Sequence, residues 1–161
     1  MLEIVGLPAH VLLLHSVVVL APLAGLAGIL YALRPSWRRV LRWPIAALVV
    51  LTAGLTALTA SAGEALEHAL PASHLIREHA EQGDRLEIVA ISFAAIMIIL
   101  IGLTWPWMAS TVPIVAKVAA NRWVILIVQI AAVLVGVLLI YQTIATGHTG
   151  AQATWSDWRT S

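Results

Sequence analysis

Six histidines, at positions 10, 15, 68, 74, 79 and 148, are the side chains of this 161-residue chain best suited to chemistry near neutral pH. Imidazole ligates transition metals and haem iron, and Glu64 and Glu78 add oxygen donors of the kind zinc or iron accepts. The sequence contains no cysteine, which removes disulfides, thiolate metal sites, cysteine nucleophiles and an iron–sulfur cluster held by this chain alone. His10 and His15 stand at the front of "GLPAHVLLLHSVVVLAPLAGL", residues 6–26, an otherwise almost wholly apolar run. A polar ring in lipid is costly unless satisfied. On a helix, five residues place two side chains about 140° apart and about 7.5 Å apart in depth. His15 is therefore expected to be the deeper ring, facing the bundle interior towards a partner, with His10 nearer water. Glu64 with His68, and His74 with Glu78, are four residues apart, so each pair shares a helix face and has the spacing to chelate an ion. Each histidine also has a plainer reading. At a membrane surface imidazoles are commonly just solvated, and His68 and His74 fit that description best.

The elements that must position these rings follow from composition. Hydrophobic residues make up 61% of the chain and charged residues 11%, with a mean hydropathy of +0.95. A soluble domain carries about 25% charged residues, so an integral membrane protein is expected. Long uncharged stretches predict four spans, near 8–33, 43–65, 86–108 and 123–146, each able to supply the roughly 20 apolar residues a crossing needs. A short surface helix over 74–87 is expected to lead into the third. The first span lacks a basic start and a small-residue cleavage site, so a signal peptide is the weaker reading. The fold class is all-α: one transmembrane domain over 1–161, forming a four-helix bundle.

Charge orients it. Arg34, Arg38, Arg39, Arg42, Lys117 and Arg122 fall in the two loops of one side, where there is no acidic residue; all eight Asp and Glu residues fall on the other. Excess Lys and Arg marks the cytoplasmic face, which puts both termini outside a plasma (inner) membrane protein. Trp37, Trp43, Trp105, Trp107 and Trp123 flank the inner ends of the spans, and Trp155 and Trp158 lie beyond the outer end of the fourth, as headgroup-level rings do. Small residues at four-residue spacing (Ala21 and Gly25, Ala24 and Gly28, Ala132 and Gly136) let helices approach closely. All six histidines then lie at or beyond the outer half of the membrane, where four converging helix ends would gather them.

The stretches "GLPAHVLLLH", "ASAGEALE", "HAEQGD" and "GHTGAQATW" resemble, in order and over almost the whole chain, the small membrane proteins grouped as domain of unknown function 2231. The resemblance implies the same four-span layout and singles out His10, His15, Glu64, His79 and His148. Some relatives look like fusions to Rieske-type iron–sulfur domains, which implies a link to electron transfer.

Three functions compete. The first is a b-type haem subunit for electron transfer in a respiratory or redox complex, with His15 as first axial ligand, His148 or His79 opposite, and His10 as a substitute for His15. The second is a non-haem zinc, iron or copper site built from His10, His15, Glu64, His68, His79 and His148. The third is a structural subunit whose histidines hydrogen-bond to Glu64, Ser16, Thr52 or backbone carbonyls. No catalytic residue is assigned, and a stand-alone enzyme is not expected. A channel or transporter fits poorly, since Gln129 is the only amide in the span middles and no charge lies there. The expected partners are the lipid bilayer and other membrane subunits or a second copy of the chain, and not nucleic acid.

Overall fold

The computed structural model describes residues 3–4 and 6–156. Asp157 and Trp158, assigned above to the outer flank, lie outside the described residues. The chain opens with a two-residue hairpin, β1 (Glu3–Ile4) antiparallel to β2 (Leu7–Pro8), which the sequence reading did not foresee. Gly6 turns it at φ +76°, a conformation that residues with a Cβ rarely adopt.

Four long helices follow: α1 (Ala9–Leu33), α2 (Arg38–Glu67), α3 (His74–Leu103) and α6 (Arg122–Trp155), each long and apolar enough to cross a membrane. A single 3₁₀ turn, Pro35–Trp37, joins α1 to α2. Two short helices, α4 (Pro106–Thr111) and α5 (Pro113–Ala119), separate α3 from α6.

Local chemistry sets most boundaries. Proline at the first position begins both α4 and α5, where its missing N–H is harmless. Asn121 caps α6, its side-chain carbonyl accepting from the Trp123 N–H at 3.0 Å. The third span, expected to reach residue 108, stops as a helix at Leu103, because Pro106 cannot continue it. Nor is there a separate surface helix over 74–87: those residues form the first turns of α3 without a break. Likewise α6 runs on past residue 146 to Trp155 through a threonine-rich segment.

Short connections make neighbouring helices antiparallel, so α1 and α3 run the same way. Helix α1 packs on α2 and α6, and α3 also packs on α2 and α6, which leaves α1 and α3 diagonal across the bundle. Two ends result. One gathers all six histidines together with Glu64, Glu67, Glu78 and Glu81; the other gathers Arg34, Arg38, Arg39, Arg42, Lys117 and Arg122.

Small residues bring the helices close. The Gly25 carbonyl of α1 approaches Gly136 of α6, and a Cβ on Gly25 would lie 2.9 Å from the Gly136 oxygen. The Phe93 ring fills the space that side chains on Gly28 and Gly136 would occupy. Tyr31, Phe93, Met97, Leu100 and Leu139 are fully buried, while Val19, Leu26, Leu134 and Ile144 face outward. Small residues at the helix contacts, with large apolar ones facing outward, suit a bundle solvated by lipid tails, where close packing replaces the hydrophobic effect.

Candidate functional site

Two of the six histidines meet on the bundle axis. The rings of His10 on α1 and His79 on α3 stand edge to face, with 6.0 Å between centroids and 79° between planes. Each is held by a helix next to its own. His10 Nδ1 lies 2.9 Å from the Thr59 carbonyl of α2, and His79 Nδ1 lies 3.1 Å from the Thr146 carbonyl of α6 and 3.3 Å from the Thr149 hydroxyl. A carbonyl only accepts, so both Nδ1 atoms carry the proton and donate, which leaves each Nε2 with an open lone pair. No described residue hydrogen-bonds to either Nε2. Metal-ligating histidines are commonly oriented in this way, one ring nitrogen donating to the protein and the other free.

Room for the rings comes from two glycines that the sequence reading passed over. A Cβ on Gly63 would lie 2.9 Å from His10 Nδ1, and one on Gly150 would lie 2.9 Å from His79 Cε1. The two rings border a cavity of ≈ 30 Å³, lined further by Leu14, Val17, Leu86 and the threonines 56, 59 and 146. That space takes a water or a single ion.

A band of buried polar groups surrounds the pair and was also missed. Thr56 and Thr59 donate back to the Thr52 and Leu55 carbonyls of their own helix. On the other side Gln142 and Thr146 of α6 both donate to the Gln82 carbonyl of α3, at 3.3 and 3.0 Å. The signal was present in the sequence as threonines at helical spacing, Thr52, Thr56 and Thr59 on one helix and Thr143, Thr146 and Thr149 on another.

The remaining expected ligands lie elsewhere. His15 is exposed on the outer face of α1, its Nδ1 bonded at 2.7 Å to the Val11 carbonyl one turn back. The expectation that His15 faces the interior is therefore corrected. The buried stripe of α1 runs through Val17, Ala21, Ala24 and Gly28, and it is His10 that falls in phase with it. His148, Glu64 and His68 are exposed as well, and they do not join the two central rings. His74 and Glu78 do approach one another, at 4.0 Å, but as a solvated surface pair. Among the described residues no group of three or more His, Asp or Glu converges as a metal shell; of the six ligands expected from the sequence, the structure brings only His10 and His79 together. Gln129, the lone mid-span amide, donates to the Ala32 carbonyl at 2.8 Å and serves packing between α6 and α1.

Four long apolar helices closed around a polar cluster at one end define an integral membrane protein of the helix-bundle class. A family described as "Predicted membrane protein (DUF2231)" matches residues 6–159, and the chain belongs to that family. No curated protein and no solved structure matches it.

Proposed function

We propose that the protein is a membrane subunit that holds one exchangeable transition-metal ion between His10 and His79, at the extracytoplasmic end of its bundle. The observation that carries this reading is the separation of the two rings. With metal–nitrogen bonds of about 2.0 Å, two imidazoles on one ion have their centroids about 5 to 6.5 Å apart, depending on the angle at the ion; the rings here are 6.0 Å apart. Imidazole favours zinc, copper, iron or nickel. With only two protein ligands, water completes the shell, which suits a labile ion better than a structural one.

The geometry favours an ion over haem. Haem would require a macrocycle between the rings, whereas the cavity they border is ≈ 30 Å³ and pockets for ligands of that size run to about 300–1,000 Å³. A redox role then passes through the ion alone, and any partner subunit of a respiratory or redox complex, or a second copy of the chain, would reach it from the histidine end. Placing that end outside, with both termini extracytoplasmic in the plasma membrane, rests on the acid-free basic loops at the other end.

Titrating the detergent-solubilised protein with Zn²⁺, Cu²⁺ and Co²⁺ tests the proposal. Binding of about one ion per chain, reversed by a chelator, is the supporting result. A folded protein that binds none of the three reduces the histidine pair to a clasp between helices. A Soret band in protein purified from its native membrane overturns the choice of an ion over haem.

A further inference from the structure

At the opposite end of the bundle lies a cation with no counter-charge among the described residues. The Arg42 guanidinium carbon sits 4.8 Å above the ring of Trp105, at the corner between α3 and α4. Trp105 is flanked by Trp43, with centroids 5.3 Å apart, and by Trp107, at 5.1 Å. Both flanking rings are exposed, at 64% and 58%. The Arg42 Nε is buried and has no hydrogen-bond partner among the described residues.

Its neighbour Arg38 is differently placed. Arg38 Nε donates to the Tyr31 carbonyl at 3.2 Å and Nη2 to the Ala32 carbonyl at 3.0 Å, so it caps the C-terminal end of α1. Arg42 has no such employment. Nor does the chain offer it a carboxylate, since no Asp or Glu occurs between Glu3 and Glu64 or between Glu87 and Asp157. A half-buried cation left unpaired is costly, and stacking on one indole offsets only part of that cost.

We propose that Arg42 and its tryptophan shelf bind the phosphate of an anionic phospholipid. Guanidinium presents a planar fork that matches phosphate oxygens, and exposed indoles at headgroup depth border the chains below it. Basic pockets between membrane helices commonly hold anionic headgroups in this manner. The site is separate from the histidine pair and does not depend on the ion reading.

Native mass spectrometry of the purified protein, incubated separately with phosphatidylglycerol, phosphatidylcholine and inorganic phosphate, tests it. Phosphatidylglycerol should be retained roughly tenfold better than phosphatidylcholine, whose choline ammonium offsets the phosphate charge that Arg42 would meet. Arg42→Gln should bring it down to the phosphatidylcholine level, Arg42→Lys should fall between, and Arg39→Gln, at an exposed position, should leave retention intact. Equal retention of the two lipids by the wild-type protein overturns the proposal even if Arg42→Gln fails to fold. So does undiminished retention in a folded Arg42→Gln, or an equal loss in Arg39→Gln. Full displacement of the lipid by millimolar inorganic phosphate shows a free-phosphate site and overturns the lipid assignment.

Discussion

His10 and His79 are counterparts on two parallel helices, each ring heading a stripe of identical spacing. From His10 the buried positions of α1 continue at Val17, Ala21, Ala24 and Gly28; from His79 those of α3 continue at Leu86, Ala90, Phe93 and Met97. Both run i, i+7, i+11, i+14, i+18, the signature of one helix face. The stripes stay in register along the bundle: at the far end Gly28 of α1 meets Phe93 and Met97 of α3. Diagonal helices therefore touch along the axis, and the two rings close the end opposite the basic loops.

That arrangement separates the histidines by function. His10→Ala and His79→Ala should each weaken ion binding at least about tenfold, since each removes one of two protein ligands. His15→Ala and His148→Ala should leave affinity unchanged, because both rings are exposed. Isothermal titration with Zn²⁺ on the four variants checks this, and loss of binding in His15→Ala alone would return the site to the first-span position expected from depth.

The inward-facing ring of the first span was legible in the sequence. Depth alone favoured His15, but phase favours His10: Gly28 lies 18 residues from His10, about five helical turns, so the two eclipse one another. The small-residue stripe already marked the packed face, and His15 points about 140° away from His10. The number of spans and the segregation of charge were legible too, since twenty-residue apolar runs and loop composition are local properties. What the sequence did not carry was the diagonal contact. His79 lies on a charged stretch that resembles a surface connector, and its inward placement depends on which helices end up opposite. The hydrogen-bond partners were equally hidden, because the Thr59 and Thr146 carbonyls have no side-chain identity to read.

Acid should empty the site. Metal ligation needs neutral imidazole, and protons compete with the ion for both Nε2 lone pairs as the solution is acidified. Apparent affinity should thus fall as the pH is lowered from about 7.5 to about 5.5. A flat titration between those values would show that the histidines are not the ligands.

Gly63 and Gly150 offer a test that leaves the ligands in place. A methyl group on either meets its histidine ring at 2.9 Å. Gly63→Ala and Gly150→Ala should therefore shift a ring and weaken ion binding, with a stability loss of about 1–3 kcal/mol from overpacking. Gly54→Ala, where a Cβ meets nothing within 4 Å, should be neutral or slightly stabilising. Thermal unfolding in detergent ranks the three, and equal behaviour of Gly54 and Gly63 variants would contradict the packing.

At the basic end, Tyr31 and Thr104 make a bond whose direction can be assigned. The Thr104 hydroxyl has one proton and sits 2.6 Å from the Leu100 carbonyl, so it donates there and accepts from the Tyr31 hydroxyl at 3.0 Å. Tyr31→Phe removes the donor while leaving Thr104 its own acceptor. The loss should be about 0.5–1.5 kcal/mol, measured as a lowered unfolding midpoint, with ion binding at the far end unaltered.

Orientation is open to a direct test because the chain has no cysteine of its own. Ser73 is exposed at the histidine end and makes no capping bond to α3, while Ser36 is exposed in the turn between α1 and α2 at the basic end. Ser73→Cys and Ser36→Cys therefore each introduce one accessible thiol with little structural cost. In intact cells a membrane-impermeant maleimide should label Ser73→Cys and spare Ser36→Cys, and permeabilisation should expose both. The reverse pattern would place the histidine pair on the cytoplasmic side. It would also set the six basic loop residues outside, against the charge bias that governs how short loops are retained.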